Sequence, residues 1–380
     1  MPTRASRITV CAVGVSLCFL FLQVAAFGQQ PGARFLYGDG TPRFLNFPAN
    51  FSAEQAASLA STSPLPLWTG SFVYAGTTYS YNMVGTNPAA GSATTTLRVI
   101  IVPLRFRFSN GVILDPTTPA FGSSLSAVES TVQSPLFQTS AFAPGGTSVG
   151  ATQYIDAFQR ANFWNDVSTT SPDYHVLLTQ PYVSRTLQID VPASAGTTVA
   201  GPGSPIGQVN MYYFNLGLNA LIPQLTYVPS SDLLIFLTYN TFFTELGNCC
   251  ILGFHSAYGS TPATGHTAVV AAYSDPGIFS VPIQDIHALS HEIGEWLDDP
   301  FGTNPVPGWS AGQAAGSCQT NLEVGDPVTG IAFDLTMNGM TYHPEDLVFL
   351  SWFARQTPST AVNGWYTFLN SFSSPPAVCP

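Results

Sequence analysis

Residues 285–300 read DIHALSHEIGEWLDDP, and this stretch decides both the predicted core helix and the predicted site. On a helix, residues four positions apart lie on one face, so His287, His291 and Glu295 fall in a single stripe. The proline that closes the stretch ends the helix, because the residue before a proline avoids the α region. The sequence therefore predicts a helix at about 286–297.

Charged side chains are concentrated around this helix. Only 8% of the 380 residues are charged, whereas soluble domains average about 25%. Yet ten of the 21 acidic residues and three of the six histidines lie between Asp285 and Asp346. Imidazole and carboxylate groups are ligands of Zn²⁺, and helical spacing brings two of them to one ion. Glu292, about 100° round the helix from His291, is placed to deprotonate a metal-bound water as a general base.

A second interpretation of the same stretch needs no metal. It would be a surface helix with a solvated acidic face, begun by Asp285 as an N-terminal cap. Such a helix would carry acidic residues near its C-terminus, where the helix dipole disfavours them. We therefore favour the metal-binding interpretation over the solvated helix.

The segment His291-Glu-Ile-Gly-Glu295 resembles the HExxH helix of zincin metallopeptidases, with Glu295 in place of the second histidine. The resemblance implies that His291 and Glu295 are metal ligands, that Glu292 is the general base and that the cofactor is Zn²⁺. Because Glu295 supplies a carboxylate, Ca²⁺ or Mn²⁺ is more plausible here than in an ordinary zincin. His287, one turn earlier, could pair with His291 instead and restore two histidine ligands.

The third metal ligand has three candidates. In the gluzincin branch of the zincins a downstream glutamate supplies it, which implies Glu323 in this chain. Asp326 could act in the outer shell by orienting a histidine, or as the ligand itself. His343 competes with both, and the sequence leaves the choice open.

A second resemblance covers residues 287–326, about a tenth of the chain. The order of HEIGE, Asp299-Pro300, Gly308-Trp309 and Glu323-Val-Gly-Asp326 is similar to the plant EXORDIUM (phosphate-induced) proteins and related secreted microbial proteins. Those proteins have an HExxE helix followed by an Asn-Pro or Asp-Pro, a tryptophan and an E-x-x-D element. This resemblance supports a shared site rather than a named reaction.

The fold class follows from the order of the predicted elements. Residues 97–108 alternate between apolar and polar side chains, and residues 266–273 form an apolar run, as strands do. Residues 152–166 have helical periodicity, and 71–81 is a predicted strand. Strands and helices are mixed rather than strictly alternating, which indicates an α+β fold. The zincin resemblance implies a mixed sheet that carries the helix at 286–297.

Residues 1–28 have the pattern of a secretory signal. Arg4 and Arg7 precede an uncharged apolar run, and small residues near position 28 suit cleavage before Gln29. The alternative is an uncleaved anchor, since the run is about long enough to span a bilayer. We expect a secreted protein with no further membrane segment.

Beyond the signal, composition divides the mature chain. Residues 29–95 are rich in Pro, Gly, Ser and Thr, and we interpret them as an N-terminal extension or a propeptide. Residues 96–380 are then the zincin-like α+β domain.

Export permits disulfides, and the mature chain keeps four cysteines, at 249, 250, 318 and 379. Four cysteines allow three pairings. We expect a bond between adjacent residues to be strained, so Cys249 and Cys250 are predicted to reach separately to Cys318 and Cys379.

The charge balance limits the partners. The chain has no lysine and a formal net charge of −11, which disfavours binding to nucleic acid and to anionic membranes. We expect a monomeric, metal-dependent hydrolase that acts on a peptide or a cell-wall polymer. The alternative is a non-catalytic, EXORDIUM-like protein that binds the cell wall or carbohydrate and has a structural metal site. The remaining histidines, at 175, 255 and 266, are expected to be structural.

Overall fold

The computed structural model describes residues 42–44, 64–225, 227–258, 265–310, 318–377 and 379. All of them fall in one compact unit, residues 35–380. The predicted signal at 1–28 lies outside the described residues. Within the described ranges, no helix combines the length and the apolar character needed to cross a membrane.

The structure contains both helices and sheets, which confirms the α+β class. The α-helices of the described residues, in chain order, are α1 (Ala127–Val132), α2 (Tyr154–Asn162), α3 (Trp164–Val167), α4 (Met211–Leu221), α5 (His287–Asp298) and α6 (Leu350–Phe353). The strands, in chain order, are β1 (Leu67–Tyr74), β2 (Thr77–Val84), β3 (Thr94–Leu97), β4 (Val99–Phe108), β5 (Ile113–Leu114), β6 (Ser140–Phe142), β7 (Gly150–Thr152), β8 (His175–Leu178), β9 (Tyr182–Val183), β10 (Leu187–Val191), β11 (Gly196–Val199), β12 (Ile206–Asn210), β13 (Leu233–Tyr239), β14 (Thr241–Glu245), β15 (Asn248–Ile251), β16 (Gly253–Tyr258), β17 (His266–Tyr273), β18 (Pro305–Trp309), β19 (Gln319–Asn321), β20 (Leu335–Met337) and β21 (Met340–Tyr342).

The central sheet is mixed and has the strand order β10-β4-β13-β17-β16. The pairs β10–β4, β4–β13 and β13–β17 are parallel, whereas β16 is antiparallel to β17. Strand β13 is buried along its whole length, and β4 and β17 along most of theirs. Continuous apolar burial of this kind is typical of strands that are covered on both faces.

Alternate side chains of the central strands enter two hydrophobic cores. On one face, Ile235 and Val269 pack in the same core as Trp296 of helix α5. On the other face, Phe236 and Val270 belong to the core that contains α4. A smaller sheet, with the order β11-β12-β14-β15, adjoins this second layer, where α4 contacts β12 and β14.

Helix α5 agrees with the predicted 286–297 to within one residue at each end, and all twelve of its residues are buried. It packs against β2, β16 and β17. The solvated surface helix is therefore the wrong interpretation. Asp285 does not cap the helix, because the N-cap position is Ile286 and carries no side-chain cap bond. Asp285 instead accepts a hydrogen bond from the backbone N–H of His343 at 3.0 Å.

The strand predicted at 71–81 is a hairpin instead. Strands β1 and β2 pair antiparallel around Ala75 and Gly76, which have φ values of 49° and 82°. Backbone in this left-handed region reverses the chain tightly. Met83 and Val84 of β2 belong to the same hydrophobic core as α5.

The predicted cysteine pairing is wrong. The bonded pairs are Cys249 with Cys250, and Cys318 with Cys379, whose Cα atoms are 5.9 Å apart. The first pair lies on β15 in the smaller sheet. The second pair lies beside β18, where the Cys379 N–H donates to the Gly308 carbonyl at 3.3 Å. Cys249 and Cys250 are neighbours in the chain, whereas Cys318 and Cys379 are 61 positions apart and are brought together beside β18 by the fold.

Candidate metal centre

Helix α5 presents His291 to a buried group of carboxylates. Its Nδ1 lies 2.7 Å from Oε2 of Glu345, so a carboxylate holds this edge of the ring. Its Nε2 is buried without a hydrogen bond, 3.0 Å from Oε1 of Glu295 and 3.8 Å from Oδ1 of Asp326. A carboxylate on one ring nitrogen fixes the tautomer and leaves the other nitrogen free to bind a metal.

Strand β16 supplies a second histidine, His255, which is fully buried. Its Nε2 lies 3.0 Å from the Asp299 carbonyl oxygen, which can only accept a hydrogen bond. Its Nδ1 therefore faces the cluster, 3.3 Å from Oε2 of Glu292 and 3.4 Å from Oε2 of Glu295. The close approach needs a glycine at 253, since a Cβ there would lie 2.8 Å from Oε1 of Glu292.

Two groups of ligand atoms meet at Glu295. His255, Glu295 and Glu323 form one group, and His291, Glu295 and Asp326 form the other, each with its atoms within 4.8 Å of one another. Oε1 of Glu295 also accepts the backbone N–H of Gly325 at 3.1 Å. Burial alone would raise the pKa of Glu295, but His291 and His255 outweigh burial and hold it well below its usual range.

The cluster gathers many buried carboxyl groups around two imidazoles. Seven buried carboxyl groups lie on α5, at its end or beside its side chains: Glu292, Glu295, Asp298, Asp299, Glu323, Asp326 and Glu345. Every arginine ion pair found among the described residues is made with another acid. Burial, together with the charge of Glu295, raises the pKa of Asp326 to about 7 and that of Glu323 well above its usual value. A divalent cation would favour the ionised form of these carboxyl groups and would offset their charge.

No protein-family model, curated protein or solved structure matches this chain. The chemistry of the site must therefore be judged from its own residues. Imidazole nitrogen and carboxylate oxygen form the ligand set of Zn²⁺ and Mn²⁺. The buried Nε2 of His291 and Oε1 of Glu292, which make no hydrogen bond, leave ligand and proton-accepting positions available. The residues therefore fit a divalent cation.

The residues predicted from the sequence divide into two sets. His291, Glu292, Glu295 and Glu323 come together in the cluster. His287 is buried, with its Nε2 3.4 Å from Oε1 of Glu345, and belongs to neither ligand group. The other two candidates for the third ligand, Asp326 and His343, lie in different places. Asp326 joins His291 and Glu295. His343 lies apart, with its Nδ1 2.6 Å from Oδ2 of Asp285.

Sequence reasoning missed His255, which we expected to be structural. It reaches the cluster because β16 pairs with β17, opposing His255 to Val269, and because α5 packs across both strands. No local spacing connects it with α5. Glu345 was also missed as a partner of His291, although it lies in the acid-rich stretch that the sequence marks.

A short N-terminal segment covers the cluster. The ring of Phe44 stacks on that of His291, with centroids 3.4 Å apart and planes 15° apart. The neighbouring Arg43 runs beside β15, where its N–H donates to the Cys250 carbonyl at 3.0 Å and its carbonyl accepts the Leu252 N–H at 2.9 Å. Arg43 therefore pairs with the backbone around β15, and Phe44 covers the ring of His291.

Proposed function

We propose that this chain is a secreted, metal-dependent hydrolase of peptides, with its centre on helix α5. The observation that carries the proposal is the convergence of two buried histidines and three carboxylates, with the Nε2 of His291 left unbonded. The resemblance to the zincin helix supports the same assignment, as does a mixed sheet with helix α5 packed on one face.

Zn²⁺ suits the proposed ligands, and Mn²⁺ or Ca²⁺ suits the share of carboxylates among them. When bound, the cation supplies Lewis acidity to the substrate carbonyl and lowers the pKa of water. His291 and Glu295 are the ligands that both the sequence and the geometry support. Glu345 orients the His291 ring through its 2.7 Å contact with Nδ1.

Glu292 is the proposed general base. Its Oε2 is held 3.3 Å from Nδ1 of His255, whereas its Oε1 makes no hydrogen bond. Burial raises the pKa of Glu292 to about 8, although His255 and His291 favour its charged form. A base whose pKa lies near the working pH exchanges protons efficiently in both directions. Glu292 thus takes a proton from the attacking water and passes it to the leaving amine.

The cover over the centre gives the N-terminal extension a role in this proposal. Every proposed ligand is at most 9% exposed, and Phe44 stacks on one of them. A peptide can reach this buried centre only after part of the chain that covers it moves aside, and Phe44 belongs to that cover. We therefore propose that part of 29–95 acts as a propeptide.

The same burial favours a second candidate function. A structural metal site is closed, whereas a catalytic site keeps one position open to substrate. An EXORDIUM-like protein that binds the cell wall or carbohydrate would use such a closed site to stabilise its fold. The two candidates differ in whether Glu292 is needed for anything beyond stability.

A peptidase screen with a metal assay separates the candidates. Wild type, Glu292→Gln and Asp173→Asn are compared, the last removing an exposed carboxylate that belongs to neither ligand group. Each is tested on fluorogenic peptides, before and after limited proteolysis near residues 42–44. The hydrolase predicts cleavage that Glu292→Gln reduces by about 10²–10⁴-fold with its metal retained, and that Asp173→Asn leaves unchanged. A metal-loaded wild type that cleaves nothing in either state would favour the structural candidate.

A further inference from the structure

The two ligand groups point to more than one ion. We propose that the centre binds a pair of divalent cations bridged by the carboxylate of Glu295, an inference that rests on the metal centre of the proposed function. The oxygens of Glu295 face different histidines: Oε1 lies 3.0 Å from Nε2 of His291, and Oε2 lies 3.4 Å from Nδ1 of His255. A carboxylate that directs its two oxygens to separate ligand sets is the usual bridge between paired metals, which lie about 3.5–4 Å apart.

Each side of Glu295 has its own histidine and its own second carboxylate. On one side, Nε2 of His291 lies 3.8 Å from Oδ1 of Asp326. On the other side, His255 and Glu323 complete the group, and Oε2 of Glu323 lies 4.0 Å from Nε2 of the same ring. Ligands of one zinc or manganese ion, each about 2.0–2.2 Å from the metal, lie within about 4.4 Å of one another. Neither group found among the described residues contains both histidines, so each histidine is assigned its own ion.

Two buried polar atoms that lack a hydrogen bond support this assignment. Nε2 of His291 and Oε1 of Glu292 are both buried without a hydrogen-bond partner. Polar atoms in that state are costly unless a ligand satisfies them. The two residues lie on different sides of Glu295. His291 contacts Oε1 of Glu295, whereas the other oxygen of Glu292, Oε2, and Oε2 of Glu295 both approach Nδ1 of His255.

The charge count also favours a pair. Four carboxylates face the two imidazoles directly within the cluster: Glu292, Glu295, Glu323 and Asp326. With all four carboxyl groups ionised and both imidazoles neutral, which is the state that metal ligands adopt, one divalent cation offsets half of their charge and two offset all of it. Glu345 and Asp299 are held separately, since Glu345 contacts Nδ1 of His291 and Asp299 accepts the backbone N–H groups of Thr303 and Asn304.

Metal stoichiometry tests the bridge without reference to activity. The full protein is stripped with a chelator, titrated with Zn²⁺ by calorimetry, and loaded with Mn²⁺ for electron paramagnetic resonance. We expect two ions per chain and the spectrum of an exchange-coupled manganese pair. Glu323→Gln and Asp326→Asn should each bind one ion and give an uncoupled spectrum, whereas Asp173→Asn should bind two.

The outcomes separate this inference from the proposed function. One ion in wild type, with an uncoupled manganese spectrum, overturns the bridged pair and leaves a mononuclear hydrolase. No ion at all overturns both. Circular dichroism accompanies each variant, and where one fails to fold, the stoichiometry and spectrum of the wild type decide the question.

Discussion

The backbone at Gly325 fixes the position of His291, and replacing it with alanine tests the proposed ligand geometry. A Cβ at this position would lie 2.6 Å from Cγ of His291 and nearer still to its Nδ1, whereas ordinary contact begins at 3.4 Å. The ring cannot simply yield, because Glu345 holds Nδ1 at 2.7 Å and Phe44 stacks on the ring at 3.4 Å. Gly325→Ala must therefore displace the imidazole or the backbone by roughly 1 Å.

The displacement has two measurable consequences. Overpacking of this kind costs about 1–3 kcal/mol of stability, which urea denaturation of the metal-free protein would show. Misalignment of a ligand with its outer-shell partner lowers metal affinity by about 10–100-fold, or roughly 1.4–2.7 kcal/mol. Competition against a chromophoric chelator would show this loss. The backbone N–H of residue 325 also donates to Oε1 of Glu295, so two of the three members of this group, His291 and Glu295, would be disturbed.

Gly294→Ala is the matched control. Gly294 lies on α5, the helix that carries His291, but a Cβ there would meet an apolar side chain rather than a proposed ligand. Its Cβ would lie 2.7 Å from Cδ1 of Leu347, the flexible end of a leucine. Alanine also favours the helix by up to about 1 kcal/mol. We expect little change in zinc affinity for this variant. A Gly325→Ala protein that binds zinc as tightly as wild type would refute the proposed clamp on His291.

Three further predictions concern the cover, the disulfides and pH. Phe44→Ala should lose about 3–5 kcal/mol of stability, and 1,10-phenanthroline should remove its metal faster, because the covering ring is gone. Replacing Cys318 and Cys379 by alanine opens a link between residues 61 positions apart, and chain entropy then predicts a loss of about 4 kcal/mol in urea denaturation. The hydrogen bond to Asp285 raises the pKa of His343 above 6.5, although partial burial opposes it. The stability from this pair is therefore fully present below about pH 6.5 and is lost as pH rises through the folded-state pKa.

Each of these predictions has a control. Phe72→Ala removes an aromatic ring of the β1–β2 hairpin and should leave the rate of metal removal unchanged; equal rates for Phe44→Ala and wild type would show that Phe44 is no cover. The Cys249–Cys250 bond closes no long loop, so removing it should lower the stability far less than removing the Cys318–Cys379 bond. His343→Gln should flatten the pH dependence, and an unchanged slope would contradict the assignment to this histidine.

The parts of the fold that the sequence predicted well are those whose signal is the spacing of residues within one element. The apolar run at 266–273 became β17, and the repeat of His287, His291 and Glu295 became α5, because both signals lie within one element. The hairpin at β1–β2 was misassigned because its turn uses Ala75 as well as Gly76 in the left-handed region, and alanine gives no turn signal.

Spacing within one element predicts only part of the site. His291, Glu292 and Glu295 share a helix, so their proximity follows from helical geometry. The contact of His255 with them depends on strand register and on helix packing, neither of which is encoded near residue 255. Asp326 reaches His291 because the Gly325 backbone approaches the ring, a feature that only the folded chain reveals.

Metal content tests the central claim most directly. Inductively coupled plasma mass spectrometry is applied to the purified protein and to its Glu292→Gln and His291→Ala variants. We predict that wild type contains bound zinc, manganese or calcium, that Glu292→Gln keeps it and that His291→Ala loses at least one ion per chain. A wild-type protein that contains none of these metals, even after zinc is added back, would contradict the assignment of this buried cluster as a metal centre.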